Sequence, residues 1–155
     1  MRLRIFLIEP NDAISGSLQF FLEELGHEVV LTASGDTCPF ARAETSCCPK
    51  SRPCADAVII GQYLPKRKGI DLIEQRHRGG CKVMSAHVSL LCLPWSDGDR
   101  LRAEALGCRY FESPLRLTEL ADWLQSVTRR IDPQRQLAPL ETAAWALSCP
   151  AADGA

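Results

Sequence analysis

Residues 55–65 read ADAVIIGQYLP, and this segment is the strongest structural signal in the chain. Val58, Ile59 and Ile60 form an uninterrupted apolar run, which is typical of a strand buried on both faces of a parallel sheet. Gly61 ends the run, and Pro65 lies in the turn that follows it. The segment therefore predicts a buried strand that opens into a loop.

The sequence on either side predicts helices and further strands in alternation. Asp12 is a good N-cap for a first helix, Gly26 is placed to end it, and a last helix opens near Thr118. Short apolar runs at 5–8 and 29–31 read as strands, so the pattern indicates a doubly wound parallel sheet with helices on both faces. The helical stripes are formed by Ile14, Leu18, Phe21, Leu22 and Leu25, by Ile70, Leu72 and Ile73, and by Leu120, Leu124, Val127 and Ile131.

The segment 55–65, with Gly69 four residues after its proline, resembles the receiver domain of two-component response regulators. The resemblance covers about residues 1–131 and implies a flavodoxin-like fold with a five-stranded parallel sheet. In that family the third strand ends in the aspartate that is phosphorylated, and here Gly61 stands at that position. The chain thus resembles a degenerate receiver that lacks its phosphoryl acceptor.

The acid pair of the family is also incomplete. Receivers carry two acids after the first strand, which hold the divalent cation needed for phosphoryl transfer. Here Glu9 keeps one carboxylate, and Pro10 replaces the second. Because magnesium requires near-ideal octahedral oxygen geometry, we expect no functional magnesium site in this crevice.

The resemblance assigns three further positions. Residues 82–86 match the fourth strand, whose hydroxyl residue contacts the phosphoryl group in active receivers, so Ser85 corresponds to that hydroxyl. Ser113 replaces the lysine that pairs with the phosphoaspartate, and Tyr110 stands at the aromatic switch position. Glu9, Gly61, Ser85 and Ser113 are expected to converge on one crevice beyond the strand ends.

A basic loop, Lys66, Arg67 and Lys68, follows the lost acceptor. Three cations beside a site that has lost carboxylates could attract a bound anion or an acidic partner. The alternative is a solvated turn.

Cysteine is unusually frequent, with eight residues in the chain. Four of them fall in a proline-containing segment, 37–54, where the family places its second helix, and this segment reads as an insertion. Their spacing contains no C-x2-4-C pair of the kind that zinc sites use, so three interpretations stay open: a zinc or iron–sulfur site, a reversible disulfide, or packing alone. The four are Cys38, Cys47, Cys48 and Cys54.

Composition limits the remaining function classes. The chain has 155 residues, 46% hydrophobic and 24% charged, with a net charge of −1, as expected for one globular domain with no basic excess for nucleic acid or membrane. No long apolar segment is present, and we expect a cytoplasmic location. No catalytic triad, phosphate-binding glycine loop or HExxH pair is present, so we expect no enzyme.

Residues 132–155 form a C-terminal tail that begins with the helix-breaking pair Asp132–Pro133. Residues 140–147 are expected to form a short helix with Trp145, and packing of the tail on the body is favoured over contact with a partner. The tail is too short to form a DNA-binding output domain.

Two functions follow. The first is a stand-alone pseudo-receiver, an interaction module that binds a histidine kinase, an output protein or a second copy through the family's surface of fourth helix, fifth strand and fifth helix. The second is a metal or redox sensor that uses the cysteine cluster on the same scaffold. Asp56 and Asp71 are alternative phosphoryl acceptors, but their expected positions, before a strand and within a helix, lie away from the crevice.

Overall fold

A parallel sheet of five strands lies at the centre of the computed structural model, which describes residues 1–32, 48, 50–92 and 96–140. The strand order is β2-β1-β3-β4-β5, and each neighbouring pair is parallel. The predicted doubly wound sheet is confirmed. The strands are β1 (Arg4–Ile8), β2 (Glu28–Thr32), β3 (Ala57–Gly61), β4 (Val88–Cys92) and β5 (Arg109–Glu112).

Helices cover both faces of the sheet. Side chains alternate along the central strands, so Phe6 and Ile8 pack on one face and Ile5 and Leu7 on the other. The helices in the described residues are α1 (Asp12–Glu24), α2 (Gly69–Arg78), α3 (Asp97–Leu106) and α4 (Leu117–Arg130), with a 3-10 turn at Ser85–His87. Since α3 follows β4 and α4 follows β5, they take the places that the resemblance gives to the fourth and fifth helices.

The ends of α1 follow the sequence closely. The N-cap is Asn11, not Asp12 as predicted, because the Asn11 side chain accepts hydrogen bonds from the amides of Ala13 and Ile14. Gly26 has φ of 89° just beyond the helix, a left-handed conformation that glycine adopts at low cost. The predicted stop at Gly26 is confirmed.

The prediction that residues 82–86 form the fourth strand is wrong. Strand β4 is Val88–Cys92, and it pairs with β3 on one side and β5 on the other. Residues 85–87 instead form the turn that leads into the strand. The run from Val88 onward makes the strand because a central position in the sheet buries both of its faces.

The first part of the tail packs on the body, at the amino-terminal edge of the sheet. Arg135 forms a bidentate ion pair with the buried Asp56, with Nε–Oδ1 at 2.8 Å and Nη2–Oδ2 at 2.5 Å. The Ala138 amide donates to the carbonyl of Pro53 at 2.8 Å, and Arg4 donates to the carbonyl of Ala138 at 3.0 Å. The expected helix with Trp145 falls mostly outside the described residues.

Gly69 is held in one of the closest contacts of the fold. An ideal Cβ at this residue would overlap the carbonyl oxygen of Gly61 and would lie 2.7 Å from Leu90 Cδ1 and 3.0 Å from Ile60 Cγ2. The start of α2 can therefore lie against the end of β3 only because residue 69 has no side chain.

Replacement of Gly69 by alanine should destabilise the protein. We expect Gly69→Ala to lower the free energy of unfolding by about 2 kcal/mol or more, because backbone must move to admit the methyl group. Gly16→Ala is the matched control, since no atom lies within 4 Å of an added Cβ there, and it should stabilise α1 by roughly 0.5 to 1 kcal/mol. Urea denaturation measures both, and equal effects would contradict the close contact.

Candidate functional site

An open cleft of about 580 Å³ lies at the carboxyl edge of the sheet. It runs between the loop that joins β1 to α1 and the loop that joins β5 to α4, where ligands bind in doubly wound sheets. Apolar atoms make up most of its surface. The lining residues are Glu9, Pro10, Asn11, Ile14, Gln62, Tyr63, Leu91, Phe111, Glu112, Ser113, Pro114 and Leu115.

Glu9 occupies the space in which an acceptor side chain would begin. An ideal Cβ on Gly61 would overlap Glu9 Oε2 and would lie 3.0 Å from Glu9 Cδ. The carboxylate is held there by the Asn11 amide, which donates to Oε1 at 3.0 Å. The Glu9 carboxylate thus fills the space that a side chain at residue 61 would enter.

Burial raises the pKa of Glu9 above its usual value of 4.5, because desolvation outweighs the hydrogen bond from the Asn11 amide. No lysine, arginine or histidine is among the residues that line the cleft in the described structure. The ionised form of Glu9 is therefore disfavoured where it lies.

Ser113 lines the cleft, as predicted from its place beside the proline. The peptide bond between Ser113 and Pro114 is cis, and both residues are exposed. A serine hydroxyl carries no positive charge, so this position cannot neutralise a phosphoryl group as a lysine would.

Ser85 does not lie in the crevice, and this prediction is wrong. It precedes β4, at the opposite end of that strand from the cleft, and its Oγ lies 3.4 Å from His77 Nδ1. Gly61 is level with Leu91 in the strand register, so Cys92 ends β4 at the crevice instead. The error arose because the true strand starts three residues after Ser85.

Tyr110 lies on β5, half-buried against the core on the side of α2 and α3. Its hydroxyl is 3.3 Å from Glu104 Oε1, on α3. The aromatic ring therefore lies beside α3, and its role as a switch stays a prediction.

The basic loop is turned away from the cleft. Lys68 donates to Asp99 Oδ2 at 3.2 Å, Arg67 donates to Gln75, and Lys66 is exposed. None of the three lines the cleft in the described structure. The anion or partner contact predicted for them stays a prediction for the outer surface of the loop.

An ion-pair network that the sequence did not reveal joins this loop to two helices. Arg102 on α3 donates to Asp71 at 2.5 Å and to Glu74 at 2.8 and 2.9 Å, both on α2. It also reaches Asp99 at 3.3 Å. The local spacing of Asp99 and Arg102 was the only signal available, because the other partners come from a different helix.

Asp99 is the buried centre of this network. Gln62, the residue after Gly61, donates to Asp99 Oδ2 at 3.0 Å. Burial opposes ionisation of Asp99, but hydrogen bonds from Lys68 and Ser96 outweigh it and hold its pKa below the usual value. The network therefore connects α3 to the carboxyl end of β3.

The alternative acceptors lie away from the cleft. Asp56 is buried at the amino-terminal edge against Arg135, and Asp71 is held on α2 by Arg102. Neither carboxylate lines the cleft in the described structure.

The cysteine cluster is described only in part, since Cys38 and Cys47 lie outside the described residues. Cys48 and Cys54 are half-buried thiols, and the Cys48 amide donates to the carbonyl of Gly79 at 2.8 Å. Within the described ranges, no group of three or more histidine, cysteine or acidic residues could hold a metal ion.

Solved structures with the same fold are receiver domains. A putative response regulator from Chloroflexus aurantiacus matches with a TM-score of 0.65 and 17% identity, covering 84% of this chain and 100% of that one. The receiver domain of Francisella response regulator 1452 matches with a TM-score of 0.66 and 16% identity, covering 83% of this chain and 98% of that one.

The receiver domain of the sensor histidine kinase PA1611 from Pseudomonas aeruginosa has a TM-score of 0.61 and 26% identity. The match covers 81% of this chain and 97% of that one, whose structure holds a magnesium ion in its active-site cleft. No family model and no curated protein matches the chain. The chain therefore has the flavodoxin-like receiver fold, and no helix in its described part is long and apolar enough to cross a bilayer.

The Glu9→Gln variant should be more stable than the natural protein at pH 7. A raised pKa in the folded state means that ionised Glu9 opposes folding above that pKa, and the penalty is lost as pH falls through it towards 4.5. The advantage of glutamine should therefore shrink over this interval and vanish below it. Urea denaturation across pH measures this, with Glu24→Gln as the exposed control on α1. A constant difference at every pH would show that Glu9 charge is not responsible.

Proposed function

We propose that this protein is a phosphorylation-independent pseudo-receiver, a protein interaction module of two-component signalling that performs no catalysis. The observation that supports this most directly is the Glu9 carboxylate in the space of the missing acceptor side chain at Gly61. A phosphoryl group would have no nucleophile to join at residue 61, since glycine has no side chain.

The rest of the crevice agrees with this role. Phosphoryl transfer depends on cations placed around the transferred group. Ser113 supplies no charge, Pro10 removes one of two acids, and Glu9 favours its neutral form more than an exposed acid would. We propose accordingly that the crevice holds no magnesium ion.

The ion-pair network of Arg102 supports an interaction surface whose shape does not depend on phosphorylation. It joins α3 to α2 through Asp71 and Glu74, and to the end of β3 through Asp99 and Gln62. Ion pairs of a partly buried network resist rearrangement more than isolated exposed pairs do. The position of α3 is thereby set by contacts that are present without a phosphoryl group.

The interaction surface that we propose is made of α3, β5 and α4. Strand β5 is an edge strand, with one helix on each side of it. Leu101 on α3 and Leu117 on α4 are 62% and 45% exposed, so both side chains are accessible to a partner. A histidine kinase, an output protein or a second copy of the chain would cover them.

Incubation with a small-molecule phosphodonor should leave the mass of the protein unchanged. We expect no acid-labile gain of one phosphoryl group by intact mass spectrometry, because the acceptor position has no side chain. An active receiver treated in parallel serves as the positive control. A gain in the natural chain would refute the proposal, and its loss in Asp71→Asn or Asp56→Asn would identify the acceptor.

A second function, metal or redox sensing through the cysteine cluster, is supported by one observation. Cys48 and Cys54 are partly accessible thiols held close to the body, Cys48 through the carbonyl of Gly79 and Cys54 against the core. Oxidation of the Cys54 thiol, or metal binding by it, would therefore change contacts made directly with the core.

Elemental analysis of protein purified without oxygen or chelator tests this second function. Bound zinc or iron near one equivalent, lost in a Cys48→Ser, Cys54→Ser double variant, is the result expected of a sensor that uses a metal. Cys108→Ser is the control, since burial raises the pKa of that thiol to about 11 and keeps it protonated. A protein that is free of metal, with thiols that form no reversible disulfide under mild oxidation, would rule this function out.

A further inference from the structure

The cleft at the carboxyl edge has the size and surface of a small-molecule site. Its volume of about 580 Å³ lies within the range of ligand pockets, roughly 300 to 1,000 Å³. The walls are apolar side chains from four segments, so a bound molecule would contact several parts of the fold at once. The apolar walls are Ile14, Leu91, Phe111 and Leu115, with Tyr63, Pro10 and Pro114 at the margins.

The polar groups of the cleft are mainly hydrogen-bond acceptors. Glu9 and Glu112 contribute carboxylates, and no basic side chain is among the described lining residues. Gln62 is 5% exposed, and its Oε1 has no hydrogen-bond partner among the described residues, while its Nε2 is committed to Asp99. Gln62 Oε1 has less than 1 Å² of accessible surface, so it lies behind the wall of the cleft and not at its surface.

The charge of the cleft and its apolar walls together define the ligand. A ligand with a positive charge would complement Glu9, and an ammonium group has three donors and no acceptor. The apolar walls require an apolar body on the same molecule. An anion would instead face two carboxylates with no compensating base.

We propose that the cleft binds a small organic cation, an amine with an apolar or aromatic body, whose ammonium group lies against the Glu9 carboxylate. The ligand would offset the desolvation of the Glu9 carboxylate, which burial disfavours in the unliganded protein. This inference depends on the cleft and not on the signalling role, so it can succeed or fail independently of the proposed function.

Four probes separate charge from shape. Phenylethylamine carries both the ring and the charge, 2-phenylethanol the ring alone, 3-phenylpropionate the ring with a negative charge, and ethylamine the charge alone. Each is titrated into the full-length protein, and binding is followed by amide chemical shifts. We expect saturable shifts at lining residues with phenylethylamine at roughly millimolar affinity, about tenfold tighter than with 2-phenylethanol. We expect no saturable shifts with the anion or with ethylamine.

Three variants identify the groups responsible. Glu9→Gln should remove the preference for the amine over the alcohol, whereas Glu24→Gln, which removes the same charge from an exposed site on α1, should leave it unchanged. Ile14→Trp should abolish binding of both ring compounds by filling the cleft, and it should fold because Ile14 is 40% exposed. Thermal melting verifies the fold of each variant.

The proposal would be overturned by an absence of saturable shifts at the cleft with phenylethylamine. Equal binding of amine and alcohol, or an amine preference that survives Glu9→Gln, would overturn the assignment of a cation site. Shifts confined to residues outside the cleft would do the same.

Discussion

Strands β1 and β3 lie side by side in the sheet with nearly every side chain covered, and this burial on two faces organises the molecule. A strand of this kind requires a helical layer on each side, and parallel strands with helical connections supply both layers. All carboxyl ends then lie at one edge of the sheet. Glu9, Gln62, Glu112 and Ser113 meet in one cleft because they follow, or end, strands of that sheet.

At this edge, the absence of side chains at two glycines determines which groups lie in the cleft. Gly69 allows α2 to start against the backbone of Gly61, and Gly61 in turn leaves a space that the Glu9 side chain fills. The Glu9 carboxylate is thereby partly desolvated and held by the Asn11 amide. The cleft at this edge is apolar, with one carboxylate whose ionised form is disfavoured.

Ion pairs tie the outer elements to this core at both edges of the sheet. At the carboxyl edge, Arg102 and Asp99 connect two helices to the end of β3. At the amino edge, the ion pair between Arg135 and Asp56 connects the tail to the start of β3. Removal of one partner from a buried pair leaves an unpaired charge and is more costly than loss of an exposed pair. Both clusters therefore favour one arrangement of helices and tail.

Apolar periodicity was sufficient to predict the doubly wound sheet and the position of β3, which ends at Gly61. This is because burial acts on residues close together in sequence. The strand β4 was misplaced by a few residues, and with it Ser85, because strand register is decided by neighbours that are distant in sequence. The approach of Glu9 to Gly61, the Arg102 network and the clasp of Arg135 on Asp56 could not be predicted either. Each is a contact between atoms of separate elements, and only the packed tertiary structure brings those atoms together.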